Sequence, residues 1–446
     1  MAMFQEVFFL GLTILYLALR SGANPSFGYL MWAFVLITFI LLYAWSKTKS
    51  VYLVDFQTFE PPVEWQTSHK QIGHMLRNIA SDRKRKGYRH FNSELDVQFQ
   101  QRILENSGTG DATAFPPAFL KFKTTDRDHG TTFTMQETID EAETILFQCM
   151  DALLSRTRLH PKKIDCVVLN CSLFSPTPSL CAMVCKKYGL KPHVKTYNLS
   201  GQGCSASIVA VDLARDFLNS NPHSIAIVLS TELISQSLYH GHEKSMLIQN
   251  TLFRSGGAAV MLTNKWYHIM SSKYMLHSLV RTQVSDQDSY QSVIEQEDEY
   301  GNHGVALSKQ VTAVAAKAIT INLKTLAPSV LPLWEKIRVA MSVEKKAGGK
   351  RVYSYTPPIK SAVEWLCIHP GGRAVLDTLQ SSLKLSDDDM QASRSVLRKY
   401  GNTSSSSIWY ELQYHEANSK MKEGDKVLQL AFGSGFKCNS AVWKKL

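Results

Sequence analysis

The 446-residue sequence predicts an α/β fold that follows an N-terminal membrane anchor. Two patterns carry this prediction. Short β-branched apolar runs alternate with amphipathic helical segments after residue 51, and a long uncharged stretch precedes them. Strands that alternate with helices are typical of a layered domain with a mostly parallel sheet. With 44% hydrophobic and 20% charged residues, the composition excludes a disordered or collagen-like chain.

Two apolar segments predict a membrane anchor over residues 1–50, with a helical hairpin whose helices lie at about 4–20 and 27–45. The second segment has no charged residue, and its 19 residues come close to the roughly 20 that cross a bilayer as a helix. A signal peptide is disfavoured because no Lys or Arg precedes the first segment. The stretch at 21–26 is rich in turn-forming residues and joins the two helices.

Basic residues follow the second apolar segment and predict which side of the membrane the rest of the chain occupies. Lys47, Lys49 and the basic cluster at 83–86 place it in the cytosol by the positive-inside rule, although Arg20 in the short loop argues against this. The formal net charge of +11 is interpreted as membrane proximity, with anionic ligands as a second contributor. Because no zinc-finger, homeodomain or RNP pattern occurs, nucleic-acid binding is not predicted.

The remainder of the chain repeats a helix-then-strand unit. The predicted pairs are helix 138–155 with strand 164–169, helix 205–218 with strand 225–229, and helix 311–326 with strand 365–368. The last unit is two strands, 427–432 and 436–443, on either side of Gly433-Ser434-Gly435. Residues 285–303 and 344–355 are predicted as surface loops. The pattern is compatible with two similar halves that meet near residue 270.

Eight cysteines are too few for a disulfide scaffold, and no C-x-x-C pair occurs, so reduced thiols in a cytosolic environment are predicted. Cys204 differs from the others because it lies between a β-type run at 195–199 and a helix that starts at Ser205. The amides and dipole of a helix N-terminus stabilise a thiolate, so a lowered thiol pKa is expected there. The other seven cysteines are interpreted as small buried residues.

Two further strand-to-helix junctions carry polar residues. His369 lies between a predicted strand and a helix, and Asn402 precedes a helix predicted at 406–420. Alone, His369 is typical of a turn, and Asn402 is typical of an N-cap. Together with Cys204, they form a set of Cys, His and Asn at three junctions. A papain-like cysteine hydrolase has the same order of residues, but the signature around its nucleophile is absent here.

These motifs resemble the plant 3-ketoacyl-CoA synthases, the condensing enzymes of very-long-chain fatty acid elongation, within the thiolase and chalcone synthase superfamily. The resemblance covers nearly the whole chain. The matching segments are 51–56, 170–180, 198–206, 252–259, 304–309, 367–375, 400–407 and 433–440. It implies a duplicated five-layer α/β/α/β/α thiolase-like body, with an N-terminal half at 51–270 and a C-terminal half at 271–446.

The resemblance also implies a mechanism for making 3-oxo-very-long-chain acyl-CoA. Cys204 accepts the acyl group of a long-chain acyl-CoA as a thioester. His369 and Asn402 hold the enolate oxygen that forms when malonyl-CoA loses CO2, and His369 is also a candidate activator of the thiol. The amide of Cys204 with the loop Gly433-Ser434-Gly435 is a candidate second oxyanion site. Neither a metal nor a redox cofactor is implied, and His240-x-His242 is interpreted as a surface turn.

Other implied properties concern location and partners. The resemblance implies the endoplasmic reticulum membrane, with the catalytic part in the cytosol. It implies a homodimer, or a heterodimer with related synthases, and the elongase reductases and dehydratase as partners. The product class is that of waxes, sphingolipids or seed lipids. Arg254 and Arg373 are candidates for the CoA phosphates, with buried bracing of the fold as the alternative.

Five positions depart from the family pattern. Gln283, Trp365 and Arg398 stand where His is common, and Ser200 and Gln202 replace the usual Gly and Met of the Cys204 turn. The resemblance implies a hydrophobic tunnel for the acyl chain, and Gln202 and Arg398 are expected to change the lining near the active site or this tunnel. The departures keep an alternative open, in which the chain is a weakly active or inactive regulatory subunit of the elongase.

Overall fold

The computed structural model describes residues 50–88, 91–123, 133–345 and 351–446, together with residues 35, 36 and 38. The chain forms two compact units, Met1–Ser50 and Val51–Leu446. Within the described ranges, no helix is both long and apolar enough to cross a membrane. The anchor helices predicted at 4–20 and 27–45 lie outside the described residues, apart from residues 35, 36 and 38, which are helical.

Nine strands of the larger unit form one mixed sheet. In chain order they are β1 (Tyr52–Thr58), β2 (Cys166–Asn170), β3 (Lys195–Leu199), β4 (Ile225–Thr231), β5 (Gly257–Thr263), β6 (Tyr274–Gln283), β7 (Trp365–Ile368), β8 (Lys426–Gly433) and β9 (Lys437–Lys445). Their order across the sheet is β7-β8-β9-β6-β1-β5-β4-β2-β3.

The longer helices of the larger unit are, in chain order, α1 (His69–Arg85), α2 (Glu94–Asn106), α3 (Met135–Thr157), α4 (Leu180–Tyr188), α5 (Ala206–Ser220), α6 (Val311–Val330), α7 (Leu333–Met341), α8 (Arg373–Leu383), α9 (Asp387–Tyr400) and α10 (Ser407–Asn418). Four of them, α3, α5, α6 and α10, have bounds close to those that the apolar periodicity predicts. Helix α3 starts earlier than predicted because Thr134 and Glu137 form a capping box at its N-terminus.

The prediction of a mostly parallel sheet is wrong. Strands β2, β3 and β4 are mutually parallel, as are β7 and β8, and helices connect these strands in sequence. The other pairings are antiparallel. A parallel connection needs a crossover of a dozen or more residues, whereas β8 and β9 are joined by the short turn around Ser434. The short connections therefore reverse the direction of the strand that follows.

Three hydrophobic clusters define the layers of the larger unit. Val167 of β2 packs with α3 and α4, whereas its neighbour Val168 packs with α5 and α10. In the other part of the sheet, Leu428 of β8 packs with α6, α8 and α9, whereas Val427 packs with α5 and α10. Because alternate residues of a strand point to opposite faces, α5 and α10 lie between the two parts of the sheet. The result is a five-layer α/β/α/β/α arrangement.

Both predicted surface loops contain regular structure. Residues 285–303 include the short helix Gln287–Gln291 and the strand Val293–Glu297, which pairs antiparallel with His303–Leu307. Residues 344–355 include the ends of a second hairpin, Val343–Lys345 with Arg351–Tyr353. The loop predictions fail because polar hairpins expose alternate side chains and so have the composition of loops.

Strand β6 bears on the predicted boundary near residue 270. It pairs with β1 of the predicted N-terminal half and with β9 of the predicted C-terminal half. The sheet is therefore continuous across the two halves, and residues 51–446 form one compact unit. A division at 270 into two similar halves stays a prediction.

Candidate active site

A cavity of about 410 Å³ lies where the loops after five strands meet. The strands are β2, β3, β4, β7 and β8, and each contributes at least one lining residue just beyond its carboxyl end. Five residues that the sequence predicted for the site line this cavity: Cys204, His369, Asn402, Gly433 and Ser434. Gly435, also predicted, follows the lining residues but does not line the cavity.

The remaining wall of the cavity is mostly apolar. Its side chains include Leu252, Phe253, Val293, Val305, Leu307 and Phe436. Three of these six belong to the hairpin of Val293–Glu297 and His303–Leu307, whose first strand lies in the segment 285–303 that the sequence predicts as a surface loop. Concave apolar walls with a few convergent polar groups are typical of small-molecule and cofactor sites.

Cys204 lies in a 3-10 turn, Gly203–Ser205, directly before α5. Gly203 has a φ of 64°, a conformation that favours glycine. The turn after β8 approaches it closely: a Cβ on Gly203 would lie 2.7 Å from the backbone nitrogen of Ser434, and a Cβ on Gly433 would lie 2.5 Å from that of Cys204. Both glycines are therefore required for this backbone contact.

The Cys204 thiol does not have the low pKa that its position before a helix predicts. Burial raises the pKa of Cys204 to about 12, and the nearby Glu232 carboxylate adds to the rise. A contact of 3.6 Å between Ser404 Oγ and Cys204 Sγ acts in the opposite direction. The prediction is wrong because desolvation outweighs the amides of the turn. All eight cysteines are free thiols, as predicted.

His369 directly follows β7 and is 2% exposed. Its backbone N–H donates to the Leu430 carbonyl at 2.9 Å, and its ring lies edge-on to Phe432 with the ring centres 5.5 Å apart. Burial lowers the pKa of His369 to about 3, so the imidazole is neutral at neutral pH. Within the described part of the chain, Nδ1 has no hydrogen-bond partner. A buried neutral imidazole can donate to an oxyanion in the cavity without carrying a charge.

Two backbone hydrogen bonds, one through its N–H and one through its carbonyl, hold Asn402 in place. Its N–H donates to the Leu252 carbonyl at 3.3 Å, and its carbonyl accepts from the Arg254 N–H at 2.9 Å. The side-chain Oδ1 accepts from the Ser404 N–H at 2.8 Å, which leaves the amide NH2 as the donor for a ligand. Asn402 is not the N-cap of α10, since that helix begins at Ser407.

The two arginines that were candidates for CoA phosphates have different environments. Arg254 is fully buried, where Nε donates to Thr113 Oγ1 at 2.7 Å and Nη1 donates to the carbonyls of Thr251 and Phe253. Burial lowers the pKa of Arg254 to about 9. This arginine braces the fold beside Asn402. Arg373 is exposed, lines the cavity and begins α8.

Glu232 and Ser404 are polar residues of the cavity wall that the sequence did not single out. Glu232 directly follows β4, is 4% exposed, and accepts from the backbone N–H groups of Ser172 and Leu173, both at 2.8 Å. Its other oxygen accepts from Ser404 Oγ at 3.0 Å. Burial raises the pKa of Glu232. An acidic residue immediately after an apolar strand was the available signal, because a buried carboxylate needs specific partners.

The three positions where His is common in the family lie outside the cavity lining. Gln283 Nε2 donates to the carbonyl of Gly435 at 3.1 Å and so holds the turn after β8. Trp365 Nε1 donates to Asp425 Oδ2 at 2.9 Å. Arg398 is exposed near the end of α9.

Neither Gln202 nor Arg398 lines this cavity, and their expected effect near the active site or the tunnel stays a prediction. The lining includes Gly201 and Gly203 on either side of Gln202, but not Gln202 itself. Its side chain lies 3.5 Å from the Ser200 carbonyl of the same turn. Arg398 contacts Gly110 through its backbone, since its carbonyl accepts from that N–H at 2.8 Å.

Of the pair His240 and His242, which the sequence predicts as a surface turn, only His242 is exposed. His242 is exposed and lies 2.7 Å from Asp96 Oδ2, whereas His240 is half-buried and stacks on Phe133. In the ranges that the structure describes, no group of three or more His, Cys, Asp or Glu is arranged to hold a metal ion.

We expect the Cys204 thiol to stay protonated at neutral pH, because burial raises its pKa to about 12. Alkylation by iodoacetamide should therefore accelerate about tenfold per pH unit from about pH 7 to about pH 9, without a plateau. The rate is measured as the difference between the native chain and Cys204→Ala, which subtracts the half-buried Cys185. A plateau below about pH 8 would show a stabilised thiolate instead.

Comparisons with known proteins identify the fold. A family model described as FAE1/Type III polyketide synthase-like protein matches residues 43–347, and one for the C-terminal domain of chalcone and stilbene synthases matches residues 360–446. The structures of CsyB complexed with CoA-SH and of the fungal type III polyketide synthase ORAS align with TM-scores of 0.67 and 0.68, each at 19% identity. Each alignment covers 89% of this chain and 100% of the other. The thiolase-like, chalcone synthase fold is confirmed, and a papain-like hydrolase is excluded.

Closer relatives are plant enzymes. From Arabidopsis thaliana, 3-ketoacyl-CoA synthase 5 is 45% identical over 414 residues, which are 92% of this chain and 81% of the relative. The 3-ketoacyl-CoA synthase 17 of the same plant is 41% identical over 445 residues, which are 99% of this chain and 88% of the relative. The chain therefore belongs to the 3-ketoacyl-CoA synthases, the condensing acyltransferases of fatty acid elongation, as the motifs around Cys204, His369 and Asn402 predict.

Proposed function

We propose that this chain condenses a long-chain acyl-CoA with malonyl-CoA to give 3-oxoacyl-CoA, CO2 and CoA through an acyl-Cys204 thioester. The observation that carries the proposal is the convergence of Cys204, His369 and Asn402 on one largely apolar cavity. CoA substrates are supported by the names of the relatives. An apolar wall is suited to an acyl chain, because each buried CH2 group contributes about 0.8 kcal/mol of hydrophobic stabilisation.

The first half-reaction is acyl transfer. The Cys204 sulfur attacks the thioester carbonyl of acyl-CoA, and CoA leaves as its thiolate. The developing oxyanion needs donors at the Cys204 turn. The Cys204 backbone amide is the candidate donor, because the Gly433 turn contacts it and excludes other side chains from that position. In this scheme Gly435 has an indirect role: its carbonyl accepts a hydrogen bond from Gln283, and this bond holds the turn.

The second half-reaction is decarboxylation and carbon–carbon bond formation. Malonyl-CoA loses CO2, and the resulting enolate oxygen accepts hydrogen bonds from His369 and the Asn402 amide. Both donors are neutral, His369 because burial lowers its pKa to about 3. The enolate carbon then attacks the acyl-Cys204 carbonyl and releases the thiolate. No metal ion or redox cofactor takes part in this scheme.

We also propose that the chain resides in the endoplasmic reticulum membrane with its catalytic unit in the cytosol. The uncharged run at 27–45 supports this. So does the loop before β6, where Trp266 and Met270 are 69% and 95% exposed and Lys265 and Lys273 flank the apolar side chains. The loop lies beside β1, which starts just after residue 50. Exposed aromatic and basic residues are common at membrane surfaces.

The product defines further partners. A 3-oxoacyl-CoA must be reduced, dehydrated and reduced again before another two-carbon extension, so reductases and a dehydratase are the expected partners.

The positions that depart from the family pattern do not change the wall of the cavity, because Gln283, Trp365 and Arg398 all lie outside the lining. We therefore favour an active synthase over an inactive regulatory subunit.

The first test expresses the full chain in microsomal membranes and supplies long-chain acyl-CoA with radiolabelled malonyl-CoA. We expect labelled 3-oxoacyl products from the native chain and a loss of at least about a hundredfold in Cys204→Ala, because the thioester cannot form. Cys185→Ala is the matched control, since Cys185 is a half-buried thiol that does not line the cavity.

Two results would contradict this reading of the assay. Equal product from Cys204→Ala would remove Cys204 from the mechanism, and no product from folded native chain across a range of acyl lengths would favour the regulatory subunit.

The same membranes test the proposed membrane integration. When they are washed with alkaline carbonate, they should retain the chain. Its release into the wash would contradict membrane integration.

The oxyanion role of the Gly433 turn has its own test. Gly433→Ala should lower the condensation rate by about 10- to 1000-fold, because the added Cβ would lie 2.5 Å from the Cys204 nitrogen and displace that amide. Gly371→Ala is the matched control in the same cavity, since its Cβ would meet atoms no closer than 3.8 Å. Equal rates for the two variants would place the oxyanion elsewhere.

We propose a homodimer, or a heterodimer with a related synthase, formed through the edge strand β3. Within the described residues β3 pairs with β2 alone, and its residue Tyr197 is 37% exposed. An unpaired strand edge is suited to pairing with a second copy across a two-fold axis. The Cys204 turn follows β3 directly, so such an interface lies close to the nucleophile.

Light scattering of the detergent-solubilised chain tests the dimer. We expect the mass of two chains, and a shift towards one chain in Tyr197→Glu, because a charge on this edge opposes pairing of two copies. Tyr290→Glu is the control, since Tyr290 is also exposed, at 54%, but lies outside β3. A monomeric native chain, or equal masses for both variants, would contradict the proposed interface.

A further inference from the structure

Helix α7 exposes its apolar side chains and buries its acidic one. Surface helices of globular proteins turn an apolar stripe to the core and charged side chains to water. In α7 the arrangement is reversed, because its one acidic residue, Glu335, is buried. The exposed apolar residues of this helix form the α7 stripe: Leu333, Trp334, Ile337 and Met341. Within the described part of the chain, the core does not cover this stripe.

The buried face of α7 fixes how the helix is rotated. Glu335 Oε2 accepts from the Tyr355 hydroxyl at 2.9 Å, and Glu335 Oε1 lies 3.8 Å from Arg338 Nη1. Val339 lies one turn after Glu335, on the same face, and is half-buried. Turning the α7 stripe towards the core would expose these contacts. The outward direction of the stripe is therefore set by the packing of the opposite face.

Basic side chains flank the α7 stripe on both sides. On a helix of 3.6 residues per turn, Lys336 lies at one edge of the stripe and Arg338 at the other. Both are exposed, and the Arg338 guanidinium lies over the Trp334 ring, 5.9 Å from its centre. Long basic side chains cover apolar surface with their stems and keep their charged heads in a polar layer. An apolar stripe between basic residues is typical of a helix that lies in the interface of an anionic bilayer.

Strand β6 brings α7 to the same end of the sheet as the exposed loop at 265–273. This loop contains no acidic residue and ends directly before β6. His277 lies about 10 Å along β6 from its first residue. Burial lowers the pKa of His277, and three nearby lysines lower it further: Lys426, Lys444 and Lys336 of α7. The two exposed apolar segments therefore have lysines between them.

We propose that α7 binds the surface of an anionic lipid bilayer, with the α7 stripe between headgroups and acyl chains and Lys336 and Arg338 at the headgroup phosphates. The proposal rests on the membrane location proposed for this chain. It adds a contact made by the catalytic unit itself. Charge favours lipid over a second copy as the occupant, because a two-fold contact would place the same basic residues opposite each other. Anionic headgroups pair with basic residues at a membrane surface.

Helix α6 separates this surface from the reacting groups. Its first residues, Val311 and Thr312, line the cavity, and its last residue, Val330, lies three positions before α7. Twenty residues of α-helix span about 30 Å. No residue of α7 lines the cavity. Substitutions on the exposed face of α7 are therefore separable from catalysis.

The test places an environment-sensitive nitrobenzoxadiazole label on the full chain, reconstituted into phosphatidylcholine vesicles with about 30% phosphatidylserine. The label is attached to Ile337→Cys or to the matched control Tyr290→Cys, whose native side chains are 50% and 54% exposed. The signal of the native chain is subtracted, because Cys185 and Cys204 are partly accessible. We expect lipids brominated in their acyl chains to quench the label at 337 at least about threefold more than the label at 290.

A second arm tests the charges. Lys336→Glu with Arg338→Glu should lower quenching at 337 to the level at 290, because the anionic headgroups then repel α7. Vesicles of phosphatidylcholine alone should lower it in the same direction. Lys70→Glu with Arg102→Glu is the matched control, since these residues are exposed and lie on α1 and α2. The control should keep the quenching of the native charges, and both double variants should keep the native condensation rate.

The outcomes separate α7 binding from the membrane location. Equal quenching at the two labelled positions, or quenching unaffected by charge reversal, would overturn the proposal. A label at 337 that is protected from aqueous iodide but not quenched by brominated lipid would also overturn it, because a protein surface would then cover α7. A chain retained after alkaline carbonate but unquenched at 337 would keep the proposed location and lose this contact. If the charge-reversed variant does not fold, the two vesicle compositions decide with the native charges.

Discussion

The close approach of two backbone turns is the contact on which the rest of the site depends. Gly203, before the nucleophile, and Gly433, after β8, pack so tightly that a Cβ on either would overlap the opposite backbone. The two turns come from parts of the sheet that lie on opposite sides of α5 and α10. Their contact therefore joins the cysteine side of the cavity to the side that carries His369.

Burial has the same electrostatic consequence at Cys204, Glu232 and His369, three titratable groups of the cavity: it favours the neutral form. It raises the pKa of Cys204 and of Glu232, and it lowers the pKa of His369. Neutral donors are suited to an enolate. They stabilise the developing charge on its oxygen, whereas a cationic donor would also form an ion pair with the malonyl carboxylate.

The departures from the family pattern lie in the supporting structure. Gln283 holds the Gly433-Ser434-Gly435 turn through the Gly435 carbonyl, and Trp365 packs against His415 with its indole N–H on Asp425. Neither side chain lines the cavity. A substitution of this kind changes how firmly a turn is held and leaves the reacting groups in place. The altered positions are thus expected to affect rate or stability more than the type of reaction.

The sequence by itself determined the layered α/β class, the three junctions that carry Cys204, His369 and Asn402, and the family. These features are local, because periodicity and turn residues are encoded by neighbours in the chain. Only the tertiary structure decided the mixed sheet, the hairpin at Val293–Glu297 that lines the cavity, and the raised pKa of Cys204. Glu232 and Ser404 were not predicted for the same reason: 172 residues separate them in the chain, and only folding brings them within 3.0 Å. Desolvation and partner choice depend on what the whole fold places around a residue, and no local pattern records it.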